Sequence, residues 1–251
     1  MSNFLVNSFI EFPTTPPFED FDELKCYWKF NESSGNIINQ AAAVGSTDSL
    51  GSNADLIVTG ASYNNSNTPF NTMNFDGVND VAKAGTSVSQ FNFMHNGGKW
   101  TWCMWIEIND ITEEGNLFSN TTGTNDYGAR VLNAGTPRFN MGIYDSGLWL
   151  NRNSTTYGLT NGNPFFLVFT WDKDEATKKF VYYKDGVEME TMQQSTTQGS
   201  SANANSTLGI AANGISQGFL SCNIAEVSVW NRILTTDEIT QLYNSGNGLE
   251  L

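Results

Sequence analysis

The stretch that decides the fold is "AEVSVWNRILTTDEITQLYNSG", residues 225–246, because it changes period partway along. Its opening alternates. Ala225, Val227 and Val229 fall on one side of an extended chain and Glu226 and Ser228 on the other, which predicts a half-buried strand. Beyond Leu234 the pattern becomes helical. Thr235 is a good N-cap and Glu238 stands three residues on, the spacing of a capping box. Leu234 before the cap and Ile239 at the fourth helical position form a hydrophobic staple. Ile239, Leu242 and Tyr243 share one helical face, and Gly246 reads as the stop after the helix. A helix of about ten residues is unstable alone in water, so it must lay its apolar stripe on a body already folded.

That body reads as strands and turns. "WTWCMWIEI", residues 100–108, places Trp100, Trp102, Met104, Ile106 and Ile108 on one face and Cys103 and Trp105 on the other. Apolar groups on both faces predict a central strand covered on both sides. "FFLVFTW", residues 165–171, is a second such run. "KKFVYYKDGVEMET", residues 178–191, carries two alternating runs around Asp185-Gly186, a dipeptide suited to the positive φ angles of a type I′ hairpin turn. The fold class is all-β, closed by one short helix.

Composition narrows the function. The 251 residues hold 12 Lys and Arg against 26 Asp and Glu, a net charge of −14. Such a surface repels phosphate backbones and anionic lipid, so neither nucleic acid nor a membrane surface is an expected partner. No stretch reaches ~18 apolar residues, so no membrane-spanning helix is expected. The N-terminus lacks a basic region followed by a long apolar run and does not read as an ordinary signal peptide. Cys26, Cys103 and Cys222 are widely spaced and read as small buried apolar residues, with a single disulfide left open. With one histidine and no C-x-x-C pair, a zinc site of ordinary type lacks ligands.

Residues 1–22 differ from the rest. Phe4, Leu5, Phe9, Ile10 and Phe12 precede a proline-rich and then acidic segment. This is either a loose tail or an arm that docks on another subunit; burying so many apolar groups favours contact. Residues 23–251 would form the sandwich domain.

Five ordered segments resemble the laminin-G-like, concanavalin A-like lectin/glucanase superfamily: "YWKFNESSGN" (27–36), "FDGVNDV" (75–81), "WTWCMWIEI" (100–108), "FFLVFTWD" with "KKFVYYKDGVEM" (165–189), and "GFLSCNIAEVSVWNRILTTDEITQLYNSG" (218–246). The resemblance implies a jelly-roll sandwich of two antiparallel sheets. It also implies, for many relatives, a structural calcium held by a glutamate near the first turn and an aspartate on the last strand. Glu32 fills the first position, but Ala225 fills the second and offers no oxygen. Glu226, expected on the opposite face, does not replace it. No metal and no cofactor is therefore expected, a rim site using Asp76 or Asp126 remaining as the alternative.

Glycanases of this superfamily need paired carboxylates of the form E-x-D-x-x-E on one strand, and no such run occurs. Glu107 and Asp110 fall on opposite faces, and His95 reads as a surface group in a turn. The chain is expected not to be an enzyme. For sugar binding, "YDSGLWLNRN" (144–153) supplies Tyr144, Asp145, Trp149 and Arg152, although Trp149 reads more readily as core.

The resemblance extends to laminin-G-like proteins that decorate the heads or tails of tailed phages. On that basis the first expectation is a virion decoration protein, folded in the host cytoplasm. Its arm would bind other capsid or tail subunits or build a trimer, and its sandwich would face outward and hold weakly to surface glycans. The alternative is a carbohydrate-binding module on a bacterial cell surface. A glycanase ranks last.

Overall fold

The structure is a computed structural model. It describes residue 18 and residues 20–64, 69–96, 98–122, 127–135, 138–145, 148–155, 157–175, 179–193 and 202–251. The five apolar arm residues Phe4, Leu5, Phe9, Ile10 and Phe12 lie outside the described residues, as does Asp126.

Among the described residues fifteen strands run in chain order: β1 (Leu24–Trp28), β2 (Leu56–Thr59), β3 (Ser62–Asn64), β4 (Thr72–Asp76), β5 (Val81–Ala84), β6 (Lys99–Ile108), β7 (Glu114–Ser119), β8 (Tyr127–Ala134), β9 (Phe139–Asp145), β10 (Leu148–Asn153), β11 (Pro164–Asp172), β12 (Lys179–Lys184), β13 (Val187–Gln193), β14 (Leu208–Ile210) and β15 (Ser221–Trp230). Two α-helices interrupt or follow them, α1 (Phe93–Asn96) and α2 (Thr236–Tyr243). The first sheet has the order β13-β12-β11-β6-β15-β4-β3, with β1 also pairing to β15; the second has β10-β9-β8-β7-β14-β5-β2. Every pairing among the described residues is antiparallel, giving the two stacked sheets of a concanavalin A-like jelly roll.

Aromatic side chains join the sheets. Trp102 of β6 stacks on Phe118 of β7 with ring centroids 3.9 Å apart. Phe139 of β9 meets Phe169 of β11 edge to face at 5.0 Å. A second apolar layer covers the far side of the first sheet, where Cys103, Trp105, Phe166, Val168 and Tyr183 meet Leu234, Ile239 and Leu242. The two doubly apolar runs are thus central strands with a core on each side, as their residues demand.

The last strand departs from simple alternation. Its pairing to β6 shifts register between Ala225 and Ser228, and Glu226 adopts φ 47°. This bulge inserts one residue. Cys222, Ile224, Val227 and Val229 consequently face the inter-sheet core, while Ala225 and Trp230 join the outer layer. Ala225 and the two valines therefore do not share a face, and the strand is buried along nearly its whole length. One edge of β15 is shared in turn: β4 pairs with residues 221–224 and β1 with residues 227–230, the bulge lying between.

The closing helix forms as its sequence directs. The Thr235 side chain accepts from the Glu238 amide at 3.2 Å, and Glu238 Oε2 accepts from the Thr235 amide at 2.7 Å. Glu238 also pairs with Arg232 at 2.6 Å. Leu234, Ile239 and Leu242 are buried. The helix stops at Asn244, which takes the left-handed φ of 48°, rather than at Gly246. Asparagine tolerates that conformation, so the chain turns two residues early.

The end of the proposed arm packs on this same layer. Phe18 meets Trp230 edge to face at 5.5 Å, and Arg232 donates to the backbone carbonyls of Asp20 and Asp22. All three cysteines are free and buried. Burial pushes the Cys103 thiol up to about 12, which makes it a poor nucleophile. His95 is also buried, contrary to its reading as a surface group. The short α1 packs against β6, β8 and β9, and His95 Nε2 lies 2.9 Å from the Ala202 carbonyl oxygen.

Candidate functional site

A cleft opens on the outer face of the first sheet, where α2 and its following turn meet the ends of β6 and β11. Its wide part encloses about 700 Å³, within the range of small-ligand sites. Trp105, Pro164, Phe165 and Tyr243 supply apolar surface there, and Thr160, Asn163, Asp185 and Asn247 supply polar groups. A narrower extension shares Pro69, Trp105 and Pro164 and adds Phe70, Glu107 and Asn223.

Each wall has a local cause. Strand alternation turns Trp105 and Glu107 outward, away from the inter-sheet core. Tyr243 comes from the last turn of α2 and lies stacked on Trp105 at 6.0 Å and on Phe166 at 6.3 Å. Phe70 meets Trp105 edge to face at 6.0 Å. The Asp185-Gly186 turn closes one side, with φ of 53° and 78° as a type I′ turn requires. A Cβ on Gly186 would stand 3.3 Å from the Tyr243 ring, so glycine also lets α2 approach. Trp105 is 6% exposed and floors the cleft, whereas Tyr243 and Phe165 are half-buried and keep surface for a ligand. Asn163 and Asn247 are exposed at the rim.

The carboxylates of the cleft are not arranged as a hydrolytic pair. Asp185 Oδ1 accepts the Phe166 amide at 3.1 Å and the residue pairs with Lys184 at 3.5 Å, so it is engaged in shaping the hairpin. Asp110 lies partly exposed beyond the end of β6, where it accepts the Thr112 amide at 2.8 Å.

The calcium expected of many relatives does not fit these residues. Ala225 carries no oxygen. The bulge turns Glu226 to the same outer side as Ala225, correcting its expected opposite placement, yet its Oε2 is taken by the Tyr27 hydroxyl. Glu32 Oε1 accepts the Ile38 amide at 3.0 Å. Asp76 Oδ1 is engaged by the Val78 and Asn79 amides. No group of three or more acidic, histidine or cysteine ligands converges among the described residues.

Glu226 itself is 6% exposed. Burial pushes its carboxyl up to about 8; the Tyr27 hydrogen bond and Lys29 pull it down, and Glu250 and Glu32 push it up.

The four residues expected to bind sugar belong to β9 and β10, on the second sheet. Tyr144 and Trp149 are directly paired across the two strands, as are Asp145 and Leu148. The side chains of Asp145 and Trp149 lie outside the described residues. Arg152 is exposed. Tyr144 is fully buried: Gly142 beside it has no side chain, and the Tyr144 ring occupies the space a Cβ would need, 2.6 Å away. The Arg130 guanidinium sits over that ring at 5.0 Å. Sequence reading missed the cleft because the walls of its wide part come from five separated segments. The one local signal was the helical face that groups Tyr243 with Leu242 and Ile239.

Fold and cleft define a lectin-like β-sandwich. The chain belongs to the concanavalin A-like lectin/glucanases superfamily: a laminin G family model of that description matches residues 76–240. No sequence among curated proteins matches it. Solved structures similar to it include the receptor-binding domain of botulinum neurotoxin C/D mosaic serotype, at 11% identity and a TM-score of 0.61, covering 88% of this chain and 51% of that one. The binding domain of botulinum neurotoxin DC in complex with SialylT gives 15% identity and a TM-score of 0.62, covering 90% and 52%. The same domain in complex with rat synaptotagmin II gives 13%, 0.62, 89% and 52%. This chain thus spans about half the length of those domains. At such identities the likeness establishes the fold.

Proposed function

We propose that the chain is a glycan-binding module whose site is the cleft between α2 and the ends of β6 and β11. The observation that carries this reading is the meeting of half-buried aromatic faces, Tyr243 and Phe165, with the exposed amides of Asn163 and Asn247 in one open hollow. Sugar rings present C–H patches that lie on aromatic faces and hydroxyls that pair with amides, so both needs are met within one site. Relatives in fold that bind a sialyl ligand and a protein receptor support a recognition role. The role is binding rather than hydrolysis, since Asp185 is engaged in its hairpin and Glu107 has no carboxylate partner beside it in the narrow extension. The expected glycan subsite at Tyr144, Asp145, Trp149 and Arg152 gives way to the cleft, because Tyr144 has no open face. The virion role expected from the sequence, with its arm and trimer, draws no support from these features.

A glycan array probed with the wild type and with Tyr243→Ala tests the reading. Binding by the wild type and at least tenfold loss in the variant is expected. Equal signal from both folded proteins removes the cleft from the function.

A further inference from the structure

The second sheet has a hollow of its own. On its outer face, β7, β8 and the loop after β14 enclose a trough of about 250 Å³, on the opposite side of the sandwich from the cleft. Arg130 and Leu132 project into it from β8, while Ala129 and Val131 between them face the inter-sheet core. Asn116 and Ser119 of β7 and Asn213 of the loop also line it, and the exposed Glu114 and Gln217 stand at its rim.

Arg130 is the unusual member. In a chain with 26 acidic residues and 12 basic ones, it forms no ion pair with any described carboxylate. Among the described residues its Nη2 donates to Asn140 Oδ1 at 3.3 Å, and its Nε is buried with no acceptor. A guanidinium donor left unpaired and out of water is costly. The group is nonetheless held in place, because Tyr144 lies beneath it and Asn140 beside it. Asn213 is prepared in a similar way. Its Oδ1 accepts the Ile215 and Gln217 amides at 3.1 and 2.9 Å, which fixes the side chain and leaves Nδ2 without an acceptor among the described residues. Two fixed donors, one of them cationic, therefore share one small hollow with the apolar side chain of Leu132.

We propose that this trough binds the carboxylate of an acidic sugar, such as a sialic or uronic acid. A carboxylate matches the planar guanidinium fork and would accept from its terminal nitrogens, the Nε itself being closed to solvent. Glu114, exposed on the same trough, opposes an anion, so one carboxylate on the one guanidinium is the most negative charge the site can hold; a phosphate or sulfate polymer would meet a chain of net charge −14 with a single cation to hold it. Leu132 offers a surface for ring carbons, and Asn213 Nδ2 a donor for a ring hydroxyl or a second carboxylate oxygen. The volume suits one sugar ring. The choice of a sugar over another carboxylate-bearing ligand rests on the glycan reading above; the trough itself uses none of the cleft's residues.

Binding of 3′-sialyllactose, glucuronate and lactose is measured by isothermal titration or saturation-transfer NMR, on the wild type, Arg130→Gln, Gln217→Trp and Tyr243→Ala. Circular dichroism confirms folding of each. Gln217 is exposed at the trough's mouth, so the tryptophan blocks entry without touching Arg130. At least one acidic sugar is expected to bind the wild type, to weaken at least tenfold in both trough variants, and to weaken as salt rises. Tyr243→Ala should leave that carboxylate-dependent binding intact. The proposal is overturned if neither acidic sugar binds, or if the trough variants bind them as the wild type does. If acidic-sugar binding is lost only in Tyr243→Ala, the cleft reading stands and the trough is excluded.

Discussion

Replacing Glu226 by glutamine should abolish a specific loss of stability as pH rises from about 5 to 8. Glu226 is buried in the bulge of β15, with its carboxyl pushed up by burial from an ordinary 4.5 to about 8. In the unfolded chain it returns to its ordinary range. Between those two values the folded state holds more protons than the unfolded one, so stability falls as pH rises and levels off above about 8. At ~1.36 kcal/mol for each pH unit of full difference, the loss between pH 5 and pH 8 is roughly 3 kcal/mol. Glutamine keeps an oxygen to accept from the Tyr27 hydroxyl and carries no titrating proton. At about 2–4 °C per kcal/mol for a chain of this size, the gap in Tm between variant and wild type should widen by roughly 6–12 °C from pH 5 to pH 8. Thermal melts of both proteins across that range, followed by circular dichroism, read it directly. A gap that stays constant, or one that narrows as pH rises, refutes the reasoning.

Other expectations concern packing. Ending the chain after Trp230 removes buried Leu234, Ile239 and Leu242, worth ~1.5–3 kcal/mol each. That sum approaches the whole stability of a typical domain, about 5–15 kcal/mol, so cooperative melting at the original temperature should be lost; an unchanged midpoint contradicts the layered architecture. Thr235→Ala breaks the cap and should cost about 1 kcal/mol in denaturant unfolding, with an unchanged m-value. Gly142→Ala drives a methyl to 2.6 Å from the Tyr144 ring and should cost about 1–3 kcal/mol. Its near-ultraviolet spectrum should change as the ring shifts, and an unaltered spectrum would show that Tyr144 does not lie over Gly142.

Much of the fold was legible because its signals are local. The doubly apolar runs at 100–108 and 165–171 need a core on each side whatever else the chain does, and both are central strands. The Asp185-Gly186 turn and the Thr235–Glu238 capping box are set by residues within a few positions of one another. The bulge at Glu226 was not legible. Its sequence alternates without a break, and the extra residue becomes apparent only when β4 and β1 share one edge of the strand. His95 was misread for a related reason: its local surroundings are polar, and its burial comes from β6, β8 and β9 closing around α1. Tyr144, Asp145, Trp149 and Arg152 were grouped by closeness in sequence. The cleft gathers Trp105, Phe165, Asp185 and Tyr243 from distant parts of the chain, and the trough sets Arg130 beside Asn213. Neither grouping has a spacing that a linear reading could find.

The insertion at Glu226 also sets where this chain can change length. Removing Glu226 would return the strand to unbroken alternation and leave Cys222, Ile224, Val227 and Val229 between the sheets. Adding a further residue would turn one half over, so that Val227 and Val229 trade sides with Ser228 and Trp230 and an indole is forced between the sheets. The strand can therefore lose one position at its bulge, but lengthening is confined to the loops at either end.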